Sequence, residues 1–287
     1  MLSLINDELT IGISPKGAEL QSIFHQAHHC EYLWQGDAKY WGKRAPVLFP
    51  IVGQLKDDTY TFEGKSYHLP RHGFAREKEF EIEFSTAREA TFLLRSNAES
   101  LNVFPFPFEF RLHYLLQENT LRVVCDVKNT GHSNMYFSVG GHPAFNVPLE
   151  HNLKMEDYFL ELSSTEELTR YTLQKGLIHQ PQLLHASNNH IPLSHELFYS
   201  DALVFKHLRS DHIALKSNKG ARGLTCNMGD FPYLGIWSSK EAPFVCIEPW
   251  HGIADSTTHN NQLTEKEGII NLPSGHRWQA SWQLTFF

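Results

Sequence analysis

With 287 residues, 41% of them hydrophobic and 20% charged, the chain has the size of one large all-β domain or two ordinary domains and the composition of a globular protein with a full core. Its net charge of −7 comes without a lysine or arginine block, which argues against a nucleic-acid partner. Cys30, Cys125, Cys226 and Cys246 are too dispersed for a C-x-x-C metal site or a disulfide framework and read as reduced core thiols; the absence of a leader-like N-terminus and of any bilayer-length apolar stretch sets the expectation of a cytoplasmic protein with no membrane partner.

Along the chain the dominant hydrophobic period is two. "ELTIGIS", "TYTFEGKSYHL", "EFEIEFS" and "ATFLLRS" read as strands. In "FEFRLHYLL" Phe108, Phe110, Leu112 and Tyr114 fall on one face and Glu109, Arg111 and His113 on the other. A turn at "QENT" leads into "LRVVCDVKN", where Leu121, Val123, Cys125 and Val127 alternate with Arg122, Asp126 and Lys128, which predicts an antiparallel hairpin. "YFLELS", "ALVFKHL", "HIALKS", "YLGIWSS", "FVCIEPW" and "QASWQLTFF" continue the pattern, whereas Leu173 to Ser200 reads as long connections with a short helix. No helical stripe recurs between strands, no repeat period appears and no linker divides the chain. The expectation is all-β: one large antiparallel β-sandwich domain over residues 1–287 with few short helices. Oligomeric state is left open.

Four segments break the strand grammar: "KRAPVLFPIVGQ" (Lys43 to Gln54), "PRHGFAR" (Pro70 to Arg76), "SVGGHPAFNVP" (Ser138 to Pro148) and "CIEPWHGIAD" (Cys246 to Asp255). His142 and Glu248 each follow strand-like sequence and each precede a proline, which holds the backbone extended and fixes where the side chain leaves the sheet. A sheet is a stiff platform from which to aim an imidazole and a carboxylate, and such a pair can exchange protons with a sugar hydroxyl or ring oxygen. Trp237, Trp250 and Phe145 offer flat apolar faces for a sugar ring, with arginines and Asn146 available to fix hydroxyls. Each feature also has a plain structural reading: a hydrogen-bonded histidine at a strand end, a carboxylate paired with arginine, a turn at Gly73 with solvated arginines, and tryptophans in the core.

Taken in order, "GAELQSI", "APVLFPIVG", "RHGFAR", "GGHPAFN", "DALVFK" and "IEPWHGIAD" resemble the aldose 1-epimerase (galactose mutarotase-like) superfamily, LacX-like branch, over nearly the full length. The resemblance implies a galactose mutarotase-like supersandwich with a sugar cleft on the concave face of one sheet. It implies Glu248 as general base, His142 as general acid and His72 as a second active-site histidine. By the same resemblance Arg44, Arg71 and Arg76 stand as candidate substrate-binding arginines, and Asp201 as a substrate-binding aspartate. "APVLFPIVG" departs from the arginine- and asparagine-bearing motif of the galactose-specific branch, so galactose specificity does not transfer. The implied partner is a small-molecule sugar, a hexose or hexose phosphate, with no metal and no cofactor. Two other classes fit parts of the pattern: a non-catalytic carbohydrate-binding protein on the same fold, and a metal-dependent sugar isomerase of the cupin kind. The latter needs closely spaced histidines that the chain does not show near His142.

Overall fold

Two antiparallel sheets carry the fold in a computed structural model that describes residues 1–184 and 189–287. The larger has nine strands in the order His190–Pro192, Tyr158–Leu162, His212–Ser217, Leu224–Asn227, Arg277–Phe286, Thr120–Asn129, Phe108–Gln117, Glu89–Arg95 and Glu81–Ser85. The other has eight. Its path runs Leu177–Leu184, Leu168–Gln174, Leu203–Lys206, Tyr233–Trp237, Phe244–His251, Val139–Gly141 and Val47–Leu48, and Ala144–Asn146 also pairs with Phe244–His251. A four-stranded sheet of N-terminal segments, Leu2–Ile5 through Cys30–Glu31, and two small hairpin-like pairs complete the all-β architecture. Among the described residues the one α-helix is Ala98–Val103, whose start is fixed by an Asn97–Ser100 capping box.

The period-two pattern decides which side of each strand is buried. Phe108, Phe110, Leu112 and Tyr114 are all in the core, as are Leu121, Val123, Cys125 and Val127 on the hairpin partner. The register Gln117↔Thr120 closes that hairpin with a two-residue turn. Phe49, from the segment that leads toward the second sheet, stacks on Phe110 with ring centroids 4.5 Å apart. Each such buried aromatic contributes about 1.5–3 kcal/mol. All four cysteines are buried and unpaired.

Two expectations are corrected. Asp126 has the parity of the polar face yet is only 1% exposed; Gln279 Nε2 donates to it at 2.7 Å and Arg277 approaches at 3.3 Å, so pairing compensates its burial. Much of Leu173 to Ser200 is strand rather than connection. Leu168–Gln174 and Leu177–Leu184 form an antiparallel hairpin closed by Lys175 and Gly176, both at positive φ (51° and 80°). That is the two-residue turn favoured by strand twist, but most side chains of Leu177–Leu184 are exposed and leave no apolar alternation to read. Residues 185–188 of that segment lie outside the described residues, and His195–Phe198 is the short helix, of 3₁₀ type.

Candidate active site

The eight-stranded sheet has a gap in its ladder where two X-Pro dipeptides meet. Phe244–His251 pairs with Val139–Gly141 at one end, through Gly140↔Trp250, and with Ala144–Asn146 at the other, through Ala144↔Cys246. Between them the Ile247 N–H donates to the Pro143 carbonyl at 3.3 Å. Pro249, two residues on, faces the same neighbour without an N–H to offer, so regular pairing stops there. His142 and Glu248, the residues before those prolines, come together at this gap. His142 Nε2 lies 3.3 Å from Glu248 Oε2, with side chains 10% and 1% exposed.

The contact lacks hydrogen-bond alignment. Glu248 Oε2 and His142 Nδ1 both remain without hydrogen-bond partners, an unusual condition for buried polar atoms and one that a ligand's hydroxyls can relieve. Burial pushes the Glu248 carboxyl well above the ordinary carboxylate range, and nearby Asp201 adds to the effect. Burial drives the His142 imidazole the other way, down to about 3, with Arg76 adding repulsion. The pair therefore favours its uncharged form.

Glycine makes room beneath the site. A Cβ on Gly140 would sit 2.7 Å from Trp250 Cδ1, and one on Gly235 would sit 2.3 Å from the far side of the same indole, so Trp250 lies down across both neighbouring strands as a floor. On the other face, a Cβ on Gly141 would sit 2.9 Å from the Trp282 ring of the nine-stranded sheet. The glycine pair before His142 thus lets an indole approach from each side.

Above this floor lies a cleft of about 310 Å³, lined by His72, His142, Glu248, Trp237, Trp250 and Asp201 among others. Its size is at the small end of small-molecule sites, roughly 300–1,000 Å³. His72 Nδ1 accepts the Gly53 N–H at 3.1 Å, which puts the proton of a neutral ring on Nε2. Desolvation, helped by His142, Arg76 and Arg71, holds His72 well below the ordinary imidazole range. Arg71 and Arg76 also line the cleft. Arg71 Nε donates to Gln54 Oε1 and an Arg76 NH₂ group to the Arg71 carbonyl, each at 2.8 Å; neither arginine has an ion-pair partner among the described residues. Asp201, at φ 85°, accepts the Ala202 N–H on Oδ1 at 2.8 Å.

Three candidates lie elsewhere. The Arg44 guanidinium donates to the Gln21 carbonyl and is absent from the cleft lining. Phe145 stands opposite Val245, on the face turned to the main core, and is fully buried there. Asn146 donates to the Glu31 and Leu33 carbonyls at 2.8 and 3.1 Å, tying its strand to the N-terminal sheet. Conversely, Trp41 and Gln54 line the cleft unannounced, Trp41 stacking on His142 with centroids 5.0 Å apart. Neither shows a local signal: Trp41 precedes a strand break without alternation, and Gln54 is merely the last residue of a turn-rich segment.

Known proteins share this arrangement. The aldose 1-epimerase family model matches residues 1–269. The chain is 35% identical to the chromosomal protein LacX of Lactococcus lactis subsp. lactis, covering 99% of this chain and 98% of that protein. Among solved structures, a galactose mutarotase related enzyme from Lactobacillus acidophilus is 38% identical with TM-score 0.96, covering 100% of this chain and 97% of that one. A galactose mutarotase-like protein from Lactobacillus casei is 31% identical with TM-score 0.93, covering both chains fully. With the family model and these relatives spanning nearly its whole length, the chain belongs to the aldose 1-epimerase family, and its activity class is isomerase.

Proposed function

We propose that the cleft binds a hexose or hexose phosphate and interconverts its α and β anomers through Glu248 and His142. The observation that carries this reading is the 3.3 Å contact between two buried, oppositely perturbed proton handlers that line one sugar-sized cleft. Ring opening needs a proton to leave the C1 hydroxyl while another reaches O5; the C1–O5 bond breaks as the C1 carbonyl forms. Glu248 as carboxylate takes the first proton and His142 as imidazolium gives the second. The aldehyde end turns about C1–C2, and ring closure on the other face runs with the roles exchanged.

A pair holding one proton in total suits a reaction that needs one acid and one base in each direction. His72 donates a hydrogen bond from Nε2 without ionising, since its Nδ1 is occupied by Gly53 and its imidazole is held neutral. Trp250 and Trp237 supply apolar faces for the ring, and Asp201 an acceptor for a hydroxyl. Arg71 and Arg76, adjacent and without carboxylate partners, suit an anionic substituent, which favours the phosphorylated sugar.

The test is optical rotation of freshly dissolved α-glucose and α-glucose 6-phosphate at rising protein concentration. Glu248→Gln and His142→Ala should each slow the change by about 10²–10⁴-fold while leaving the fold intact. A Glu248→Gln variant as fast as the parent removes the base from the scheme, and saturable sugar binding without acceleration turns the protein into a sugar-binding module.

A further inference from the structure

The floor of the cleft carries one side chain that proton transfer does not use. Cys246 precedes Glu248 by two residues on one strand and so shares its face of the sheet. It is fully buried, opposite Trp237 on one side and Ala144 on the other. One ligand atom each from His142, Cys246 and Glu248 all fall within 4.8 Å of one another. The sequence reading expected no metal ligands because it looked for closely spaced histidines. The sheet instead assembles three different donor types.

A second observation points to a ligand at this spot. Glu248 Oε2 and His142 Nδ1 are buried without hydrogen-bond partners, so the cluster is not satisfied internally. Imidazole, thiolate and carboxylate are the donors that zinc takes in tetrahedral sites, at about 2.0–2.3 Å each. Thiolate and carboxylate together carry two negative charges, which offset those of a divalent cation in a site closed to water. Three protein ligands leave the fourth position open toward the cleft, through which the ion reaches them. Asp201 on the cleft wall favours a cation, whereas Arg71 and Arg76 oppose one.

We propose that His142, Cys246 and Glu248 form a binding site for Zn²⁺ or a similarly thiophilic divalent cation, and that the bound ion inhibits the protein by occupying both proton handlers. On binding, the Cys246 thiol and the Glu248 carboxyl release any protons they hold to solvent as the metal–sulfur and metal–oxygen bonds form; no electron is transferred. The inhibition rests on the function proposed above; the binding does not.

The experiment uses the full chain, freed of metal by a chelator, and Zn²⁺ alone in equilibrium dialysis, with Co²⁺ as a spectroscopic probe. One Zn²⁺ should bind per chain in a form that depends on Cys246, and Co²⁺ should produce a thiolate-to-metal charge-transfer band. Cys246→Ala and Cys246→Ser should each weaken Zn²⁺ at least tenfold and abolish the band, with circular dichroism confirming the fold. Two substitutions of different polarity guard against one of them failing to fold. In the optical-rotation assay Zn²⁺ should inhibit the parent reversibly, and each Cys246 variant should need at least tenfold more Zn²⁺ for the same fractional inhibition of its own rate. Zn²⁺ affinity unchanged in the Cys246 variants, no retained Zn²⁺, or a Co²⁺ spectrum without the thiolate band overturns the site. Cys246-dependent binding without inhibition of a measurable mutarotation overturns the inhibitory role. Cys246-dependent binding by a protein with no mutarotation at all leaves the metal site standing and removes the proposed function instead.

Discussion

The Trp41 indole lies over the His142 imidazole with ring centroids 5.0 Å apart and planes 28° from parallel, and Trp237 meets the same imidazole edge-on at 5.7 Å. The proton handler is thereby walled by two indoles, one of which comes from a loop rather than the sheet. Removing water from an imidazole disfavours its charged form, which is why His142 sits far below the ordinary histidine value. Trp41→Ala opens one wall. The acid limb of the rate profile should then move to higher pH, and stability should fall by about 1 kcal/mol for the lost ring pair. Rates measured between pH 4 and 8 check this, and an unmoved acid limb would show that Trp41 does not set the imidazole's environment.

Glu248 leaves a signature in stability as well as in rate. Its folded carboxyl holds a proton at pH values where the unfolded chain, near 4.5, has released it. Its contribution is therefore full below the unfolded value and is lost as pH rises toward the raised folded value, by about 1.4 kcal/mol per pH unit over that interval. Glu248→Gln removes this dependence. Its melting temperature should gain on the parent's as pH rises from 4 to 8, and a constant difference across that range contradicts the buried, protonated carboxyl.

Arg71 and Arg76 should discriminate by charge of the substrate. If both meet a phosphate, each charge-assisted hydrogen bond is worth about 1.5–3 kcal/mol. Arg76→Ala or Arg71→Ala should then raise KM for glucose 6-phosphate on the order of tenfold to a hundredfold and change the KM for glucose little. Equal effects on both sugars would assign the arginines to the cleft's shape instead.

Lys266 and Asp255 form a buried ion pair, Nζ to Oδ1 at 2.8 Å with both side chains 1% exposed, beneath the loop that gives Ile253 and Ala254 to the cleft. Asp255 Oδ2 also accepts the Lys56 N–H, and its own N–H donates to the Gln54 carbonyl. Asp255→Ala leaves a buried ammonium unpaired and should cost about 3–5 kcal/mol in urea unfolding. The double change Asp255→Ala with Lys266→Met should recover part of that loss; a double variant no more stable than the single one would assign the cost to the loop's hydrogen bonds alone.

How far the sequence reached is clearest in the strand from Phe244 to His251. Its apolar run and the proline after Glu248 were legible locally, and so was the extended backbone those features impose. The match of residue types across the whole chain suggested His142 and Glu248 as partners. Neither signal contained the second neighbour of that strand, so Cys246 passed as a core thiol and the ladder gap opposite Pro249 went unseen. Phe145 and Asn146 failed for a related reason: a segment quoted as one motif is a strand in which alternate side chains leave in opposite directions, and only the pairing Phe145↔Val245 says which direction is the core.

Period two along each strand and the turn chemistry between strands were enough, without any coordinates, to dictate an antiparallel β protein and most of its core, because backbone pleat and side-chain hydrophobicity act over a few residues. What entered the cleft was decided by the sheet as a whole. Strand order brought together residues far apart in the chain, glycines on neighbouring strands made space for one indole, and burial reversed the usual proton preferences of an acid and a base. Those effects depend on distance and dielectric in three dimensions, and no stretch of sequence carries either.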